Sequence, residues 1–198
     1  MYESLYETIA DGLVVHGFVC IEDALDVSLT QSLLHSTNES ALYKNAGISS
    51  SKNVHIDKKK RSDKIRWIDE DSAAQSQYLA FTHGLQEYLN RTLYLGLQYY
   101  EAHFALYEKG DFYEKHLDAF KGSKNRVVTT VFYLNEEWSQ EDGGELVVFD
   151  SDGKELKRVL PNAGTLVIFL SDKFPHEVLP TKAKRHSIAG WFRVDDAA

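Results

Sequence analysis

Two histidines and an aspartate have the residue types and order of a metal site: His116-Leu117-Asp118 and, far along the chain, Phe174-Pro175-His176-Glu177-Val178. Neutral imidazole and ionised carboxylate are both good donors to divalent cations. Residues two apart on a strand point to the same face, so His116 and Asp118 can aim at one point if a strand runs through both. A lone H-x-D is weak, since its usual meaning is a surface turn, and His176 alone reads as a structural histidine. Taken together, two imidazoles and one carboxylate leave three coordination positions open, which suits ferrous iron in oxygenases. Zinc also accepts two histidines and a carboxylate, but no H-E-x-x-H helix is present. Nucleophilic catalysis has little support. No G-x-S-x-G elbow appears, and the single cysteine, Cys20, sits in the apolar run 17–21, where a buried, inert thiol is expected.

Arg185 follows shortly after His176, with flanks that read as half buried: His186-Ser187-Ile188-Ala189-Gly190-Trp191-Phe192. A buried guanidinium needs a partner, and its rigid fork matches a carboxylate bidentately. A bound dicarboxylate would meet that need.

The elements that must position these groups change character along the chain. Leu5, Ile9, Leu13 and Val14 recur at helical spacing, predicting a helix over the first fourteen residues. A strand over 14–21 and a helix starting at Glu22-Asp23 follow, the latter turning Leu25, Val27, Leu29, Leu33 and Leu34 inward. From Thr37 to Lys64 the apolar period disappears, and Lys58-Lys59-Lys60-Arg61 is the only basic run. That run reads either as a solvated loop tip or as a mobile lid or guide for an acidic partner. Residues 65–68 alternate as a short strand, and Asp71 or Ser72 can cap a helix carrying Leu79, Phe81, Leu85, Tyr88 and Leu89. After Thr92 eight strands are expected, over 99–109, 112–116, 127–134, 144–149, 156–160, 165–170, 176–179 and 186–194, several separated by Gly- and Asp-rich turns. Helices followed by many short strands predict a mainly β, α+β fold, a sandwich or barrel with supporting helices on one side.

The chain has 198 residues, most simply one domain. Its formal charge of −8, from 22 basic and 30 acidic residues, argues against a broad nucleic-acid surface. No signal peptide and no membrane span are readable, so a soluble, cytoplasmic protein is expected.

The residues His116-Leu117-Asp118, His176-Glu177-Val178-Leu179-Pro180 and Arg185, with Tyr133-Leu134-Asn135 and Gly143-Gly144-Glu145-Leu146 between them, resemble the iron(II)- and 2-oxoglutarate-dependent dioxygenases. Within these the chain is most similar to the prolyl 4-hydroxylase branch, including the hypoxia-inducible-factor prolyl hydroxylases and their bacterial relatives. Residues 61–68 also look like the substrate-loop strand of those enzymes. The resemblance implies a double-stranded β-helix over 99–194, with 1–98 giving helical support and the substrate-loop region. It implies Fe(II) on His116, Asp118 and His176, and 2-oxoglutarate chelating that iron with its distal carboxylate on Arg185. It also implies dioxygen as cosubstrate and ascorbate as a rescuer of oxidised iron. Tyr107 and Tyr133 match hydroxyl positions near the cosubstrate, and Leu146, Val178 and Trp191 match apolar positions lining its pocket. Asp63, Trp67 and Arg126 match positions near the substrate entrance. The implied reaction is hydroxylation of an exposed proline in a protein or peptide, releasing succinate and carbon dioxide. Ala189 stands where the animal enzymes carry a hydroxyl residue, and the segment 119–125 also departs from them. Two alternatives therefore stay open: the same chemistry on another side chain or a small molecule, and a non-catalytic β-barrel that binds or senses.

Overall fold

The structure, a computed structural model, describes residues 2–37, 42–50, 53–55, 60–119 and 125–194. Its order is α1 (Glu3–Val15), β1 (Phe18–Ile21), α2 (Val27–Ser36), β2 (Lys44–Asn45), β3 (Ile48–Ser50), β4 (Asn53–His55), β5 (Lys64–Trp67) and α3 (Ala73–Leu93). Eight strands follow: β6 (Tyr99–Tyr107), β7 (Tyr113–His116), β8 (Arg126–Tyr133), β9 (Leu146–Phe149), β10 (Glu155–Val159), β11 (Leu166–Leu170), β12 (His176–Val178) and β13 (Arg185–Arg193). All eight fall within about two residues of the spans read from the sequence.

The strands form a seven-stranded sheet in the order β1-β11-β8-β13-β6-β5-β2, a four-stranded sheet β10-β9-β12-β7, and a separate β3-β4 pair. The larger sheet is covered on both faces, and its strands show this residue by residue. Phe104, Val128, Phe132, Ile168, Ile188 and Phe192 join Ile9, Leu13, Tyr78, Phe81 and Leu85 of the helices in one apolar cluster. Their strand neighbours Ala105, Val131, Tyr133, Val167 and Phe169 point the other way and pack with Leu146, Val148 and Val178 of the smaller sheet. Side-chain alternation thus gives continuous apolar runs, because both faces meet a partner layer. Each large side chain so buried contributes about 1.5–3 kcal/mol before entropy is set against it.

Local details depart from expectation near the N-terminus. The helix α1 runs on through Val14 and Val15, both exposed, and the turn is made at Gly17 (φ +70°), so the strand starts only at Phe18. Packing of Ile9, Ala10 and Leu13 outweighs the mild helix reluctance of two β-branched residues. The helix α2 begins later than Glu22-Asp23, because Asp26 is the cap: its Oδ1 accepts the Ser28 N–H at 2.8 Å. Val27 consequently faces solvent rather than the core. Ser72 caps α3 through the Gln75 N–H. Cys20 is half buried, and burial raises its thiol pKa. Lys58 and Lys59 and most of the departing segment after Asp118 lie outside the described residues. No described helix is long and apolar enough to cross a membrane.

Candidate active site

His116, at the end of β7, pairs directly across the smaller sheet with His176, at the start of β12. That register places the two rings 4.3 Å apart, and Asp118 closes the group: its Oδ1 lies 3.7 Å from His116 Nε2 and its Oδ2 lies 3.5 Å from His176 Nε2. One donor atom from each of the three falls within 4.8 Å of the others, the one such group among the described residues. The strand ends at His116, so Asp118 is not placed by the strand alternation expected from H-x-D. It lies just beyond β7, and Thr129 Oγ1 on β8 donates to its Oδ2 at 2.9 Å.

The donor set fits a divalent transition metal. The Nδ1 of His116 meets the Glu114 carbonyl at 2.8 Å, and the Nδ1 of His176 meets the Phe174 carbonyl at 3.0 Å. A carbonyl only accepts, so both Nδ1 atoms carry the proton and both Nε2 lone pairs face the cluster. Burial, and then the neighbouring His176, hold the His116 pKa well below the ordinary histidine value, so its ring is neutral at pH 7. Burial would raise the Asp118 pKa, but His176, His116 and Arg126 outweigh it and keep the carboxyl ionised.

The cluster sits in a cleft of about 780 Å³. Arg185 opens onto the same cleft and is only 1% exposed. Its Nε donates to the Gly144 carbonyl at 2.8 Å and its Nη1 to Ser187 Oγ at 3.2 Å. It has no carboxylate partner among the described residues. Gly144 has φ +70°, and a Cβ there would come within 3.1 Å of Arg185 Cδ, so the glycine makes room for the arginine. Tyr107 and Tyr133 flank the guanidinium, their ring centres 4.8 and 5.1 Å from Arg185 Cζ. Burial raises the pKa of both phenols, and the Tyr133 hydroxyl proton finds no acceptor among the described residues. A buried cation beside a phenol lacking an acceptor fits an acidic ligand that accepts from both.

The remaining expected residues divide between wall and mouth. Leu146, Val178 and Trp191 line the cleft. Arg126 does too, but it is already engaged: it donates to Glu101 and stacks 3.7 Å over the Trp191 ring. Trp67 stands at the mouth, 52% exposed, with its ring edge-on to His103. Asp63, matched to a position near the substrate entrance, sits behind the cleft wall. It is 1% exposed, does not line the cleft, and is bound by Arg61 through Nε at 2.8 Å and Nη2 at 2.7 Å. Arg61, read both as the end of a basic run and as the start of the substrate-loop strand, is the residue that reaches the cleft. Its guanidinium lies 4.3 Å from the Tyr113 ring, which stacks on His116 at 3.6 Å. The sequence reading missed Tyr113, His103, Ser187 and Thr129. The strand pattern puts all four on candidate walls, but nothing in their local sequence marks them.

Comparison with known proteins agrees with this geometry. The 2OG-Fe(II) oxygenase superfamily model matches residues 102–193. The crystal structure of a Pseudomonas putida prolyl-4-hydroxylase is 38% identical, covers 96% of this chain and 100% of its own, and has a TM-score of 0.86. A Trichoplax adhaerens prolyl hydroxylase, solved in complex with a hypoxia inducible factor oxygen degradation domain peptide fragment, is 29% identical. It covers 96% of this chain and 90% of its own, with a TM-score of 0.85. Human prolyl hydroxylase EGLN3 is 32% identical over 140 residues, 67% of this chain and 58% of that protein. The chain spans about a fifth of human Egl nine homolog 1, at 35% identity over 85 residues. With these relatives the two-sheet architecture is the double-stranded β-helix, and the chain belongs to the 2OG-Fe(II) oxygenase superfamily, in its prolyl hydroxylase branch.

Proposed function

We propose that this chain is an iron(II)- and 2-oxoglutarate-dependent dioxygenase that hydroxylates a prolyl residue of a protein substrate. The observation that carries the proposal is the pairing, in one cleft, of the His116-Asp118-His176 cluster with a buried Arg185 that has no carboxylate partner among the described residues. His116, Asp118 and His176 would hold the iron through two Nε2 atoms and a carboxylate oxygen. Bound there, iron with 2-oxoglutarate and dioxygen supplies an oxidation that yields succinate, carbon dioxide and a hydroxylated carbon. Arg185 holds the distal carboxylate of the cosubstrate, and Tyr133 donates its unclaimed proton to the same group. Leu146, Val178 and Trp191 exclude water from the apolar midsection. Ascorbate is expected to sustain turnover.

A prolyl substrate is supported by likeness over nearly the whole of two prolyl hydroxylases, one of them solved with a peptide. The wide cleft, with an exposed Trp67 at its mouth, suits a polypeptide segment better than a free metabolite. The test is succinate formation with Fe(II), 2-oxoglutarate and a set of proline-containing peptides, with the product located by mass spectrometry. Hydroxyproline in a peptide is the expected result. Turnover with no proline peptide, but with another side chain or a small molecule in a lysate, overturns the substrate and keeps the chemistry. Absence of metal-dependent binding of 2-oxoglutarate overturns both. Arg185→Lys keeps the charge but loses the fork, and should raise the KM for 2-oxoglutarate about tenfold or more, roughly 1.4 kcal/mol of binding, with less effect on kcat.

A further inference from the structure

The three side chains of the cluster are oriented by two different means. His116 is held from within β7 and His176 from the turn just before β12, each by the carbonyl two residues before it, at 2.8 and 3.0 Å. Asp118 cannot be held that way, because an ionised carboxylate only accepts and a carbonyl has no proton to give, and it lies past the end of β7. Aspartate χ2 is broad and roughly two-fold, so a carboxylate on a loop, left alone, turns either oxygen toward its neighbours. Something from elsewhere in the fold must fix it.

Two buried hydroxyls do so, beside the Trp191 indole N–H, which also favours the ionised carboxylate. Thr129 Oγ1, on β8, donates to Asp118 Oδ2 at 2.9 Å and lies 2.8 Å from Ser171 Oγ, just past the end of β11. A hydroxyl has one proton, and the Thr129 proton is committed to an acceptor-only carboxylate, so Ser171 donates to Thr129. Thr129, Ser171 and Asp118 are all buried, where a hydrogen bond is costly to lose. The backbone of Ser171 is tied to the same place, since its N–H donates to Val127 O and its carbonyl accepts from the Ala119 N–H. Ser171 therefore holds the carboxylate through Thr129 and the adjoining chain directly.

We propose that Thr129 and Ser171 form a hydroxyl relay that sets the rotation of the Asp118 carboxylate and, through it, the metal affinity and coordination geometry of the site. Both are positioning residues, and the inference rests on the metal-binding reading above. A merely structural hydroxyl would affect folding stability but leave the metal's ligand field unchanged. The relay acts on the ligand field.

The test is titration of the metal-free chain with Co(II), read by its visible d–d absorption, for the parent, Thr129→Val, Thr129→Ser and Ser171→Ala. Thr129→Val removes the hydroxyl at nearly constant shape. It should weaken cobalt binding ~10- to 100-fold, the usual cost of an outer hydrogen-bond partner, and change the band shape. Thr129→Ser should restore both, and Ser171→Ala should give a smaller loss in the same direction. A Thr129→Val protein with the parent's affinity and spectrum overturns the relay while leaving the metal site standing. A parent chain that takes up no cobalt overturns the metal reading and the relay together. Should Thr129→Val not fold, Ser171→Ala carries the test, and unchanged affinity and band overturn the relay.

Discussion

At the floor of the cleft His176 and Arg185 are buried on strands of the two large sheets, and His176 Nδ1 and Arg185 Nε each have a short, identifiable partner. At its mouth, Trp67 ends the four-residue β5, next to the two-residue β2, and Trp67 and Leu42 are both exposed. The difference separates two tasks. A fixed reaction needs donors held to within a fraction of an ångström, which paired strands in register provide. A particular substrate needs a surface that can vary without disturbing that floor, which short strands and loops provide. The two regions meet at the Arg61–Tyr113–His116 stack and at His103, whose ring packs against both Trp67 and Trp191.

The sharpest way to break the floor is His176→Ala. Loss of one of three ligands should exceed the ~10- to 100-fold effect of an outer partner and abolish metal-dependent succinate formation. The metal-free protein should keep its circular dichroism, because the β12 backbone pairs on both sides regardless of the ring. Residual metal-dependent turnover would mean that the third donor is another residue.

The junction should break through Asp63→Ala. The mutation strands the Arg61 guanidinium, whose side chain is 11% exposed, without its carboxylate. Breaking such a buried pair costs about 3–5 kcal/mol. The comparison is Glu3→Ala, which removes the exposed Arg91–Glu3 pair and should cost under about 1 kcal/mol. Urea denaturation of both variants measures the contrast, and equal midpoints would mean that the Arg61–Asp63 pair is no more than a surface bridge.

Between mouth and floor, His103 should make the fold sensitive to acid. Burial, helped by Arg61 and Arg126 and opposed by Asp63, lowers its pKa from 6.5 to about 4. The unfolded chain therefore takes up a proton between pH 6.5 and 4 that the native state refuses. Stability is intact above pH 6.5 and falls as pH drops toward 4, by on the order of 3 kcal/mol from this residue. His186, lowered to about 4 by burial, Lys184 and Arg185, adds to the same limb. Denaturation midpoints at pH 7 and pH 4.5 should differ less in His103→Asn than in the parent. An unchanged difference would show that the buried ring is not the source.

The same contrast explains what could be read from the chain alone. The eight strands of 99–194 were legible because each central strand is apolar on both faces and bounded by Gly and Asp turns, signals that act locally. His116, Asp118, His176 and Arg185 were legible because few roles suit those residue types in that order. Thr129, Ser171 and Tyr113 were not, because a hydroxyl or a ring on a strand acquires its role only when another strand brings it a partner. The contact made by Asp63 was hidden for a related reason. The resemblance put Asp63 near the substrate entrance but gave no sign that Arg61, two residues before it, would bind it. The turn at Gly17 and the cap at Asp26 were misjudged by a few residues, where packing of α1 and a side-chain hydrogen bond outweigh local preference.

The smallest expected effect on stability, and the one most specific to the mouth, is that of Trp67→Ala. The residue is half exposed, and its packed edge rests on His103, so truncation should change the unfolding free energy by only about 0.5 kcal/mol. An indole left in water at the edge of a deep cleft is poorly explained by stability. Trp is also enriched among residues that dominate binding energy. The KM for a peptide substrate should therefore rise by about tenfold or more, roughly 1.4 kcal/mol, while the KM for 2-oxoglutarate and the cobalt affinity stay at parent values. Peptide and cosubstrate saturation curves on the same preparation separate these outcomes. A parallel change in both KM values would mean that mouth and floor are mechanically one unit. An unchanged peptide KM would move substrate selection away from β5, to other walls of the cleft.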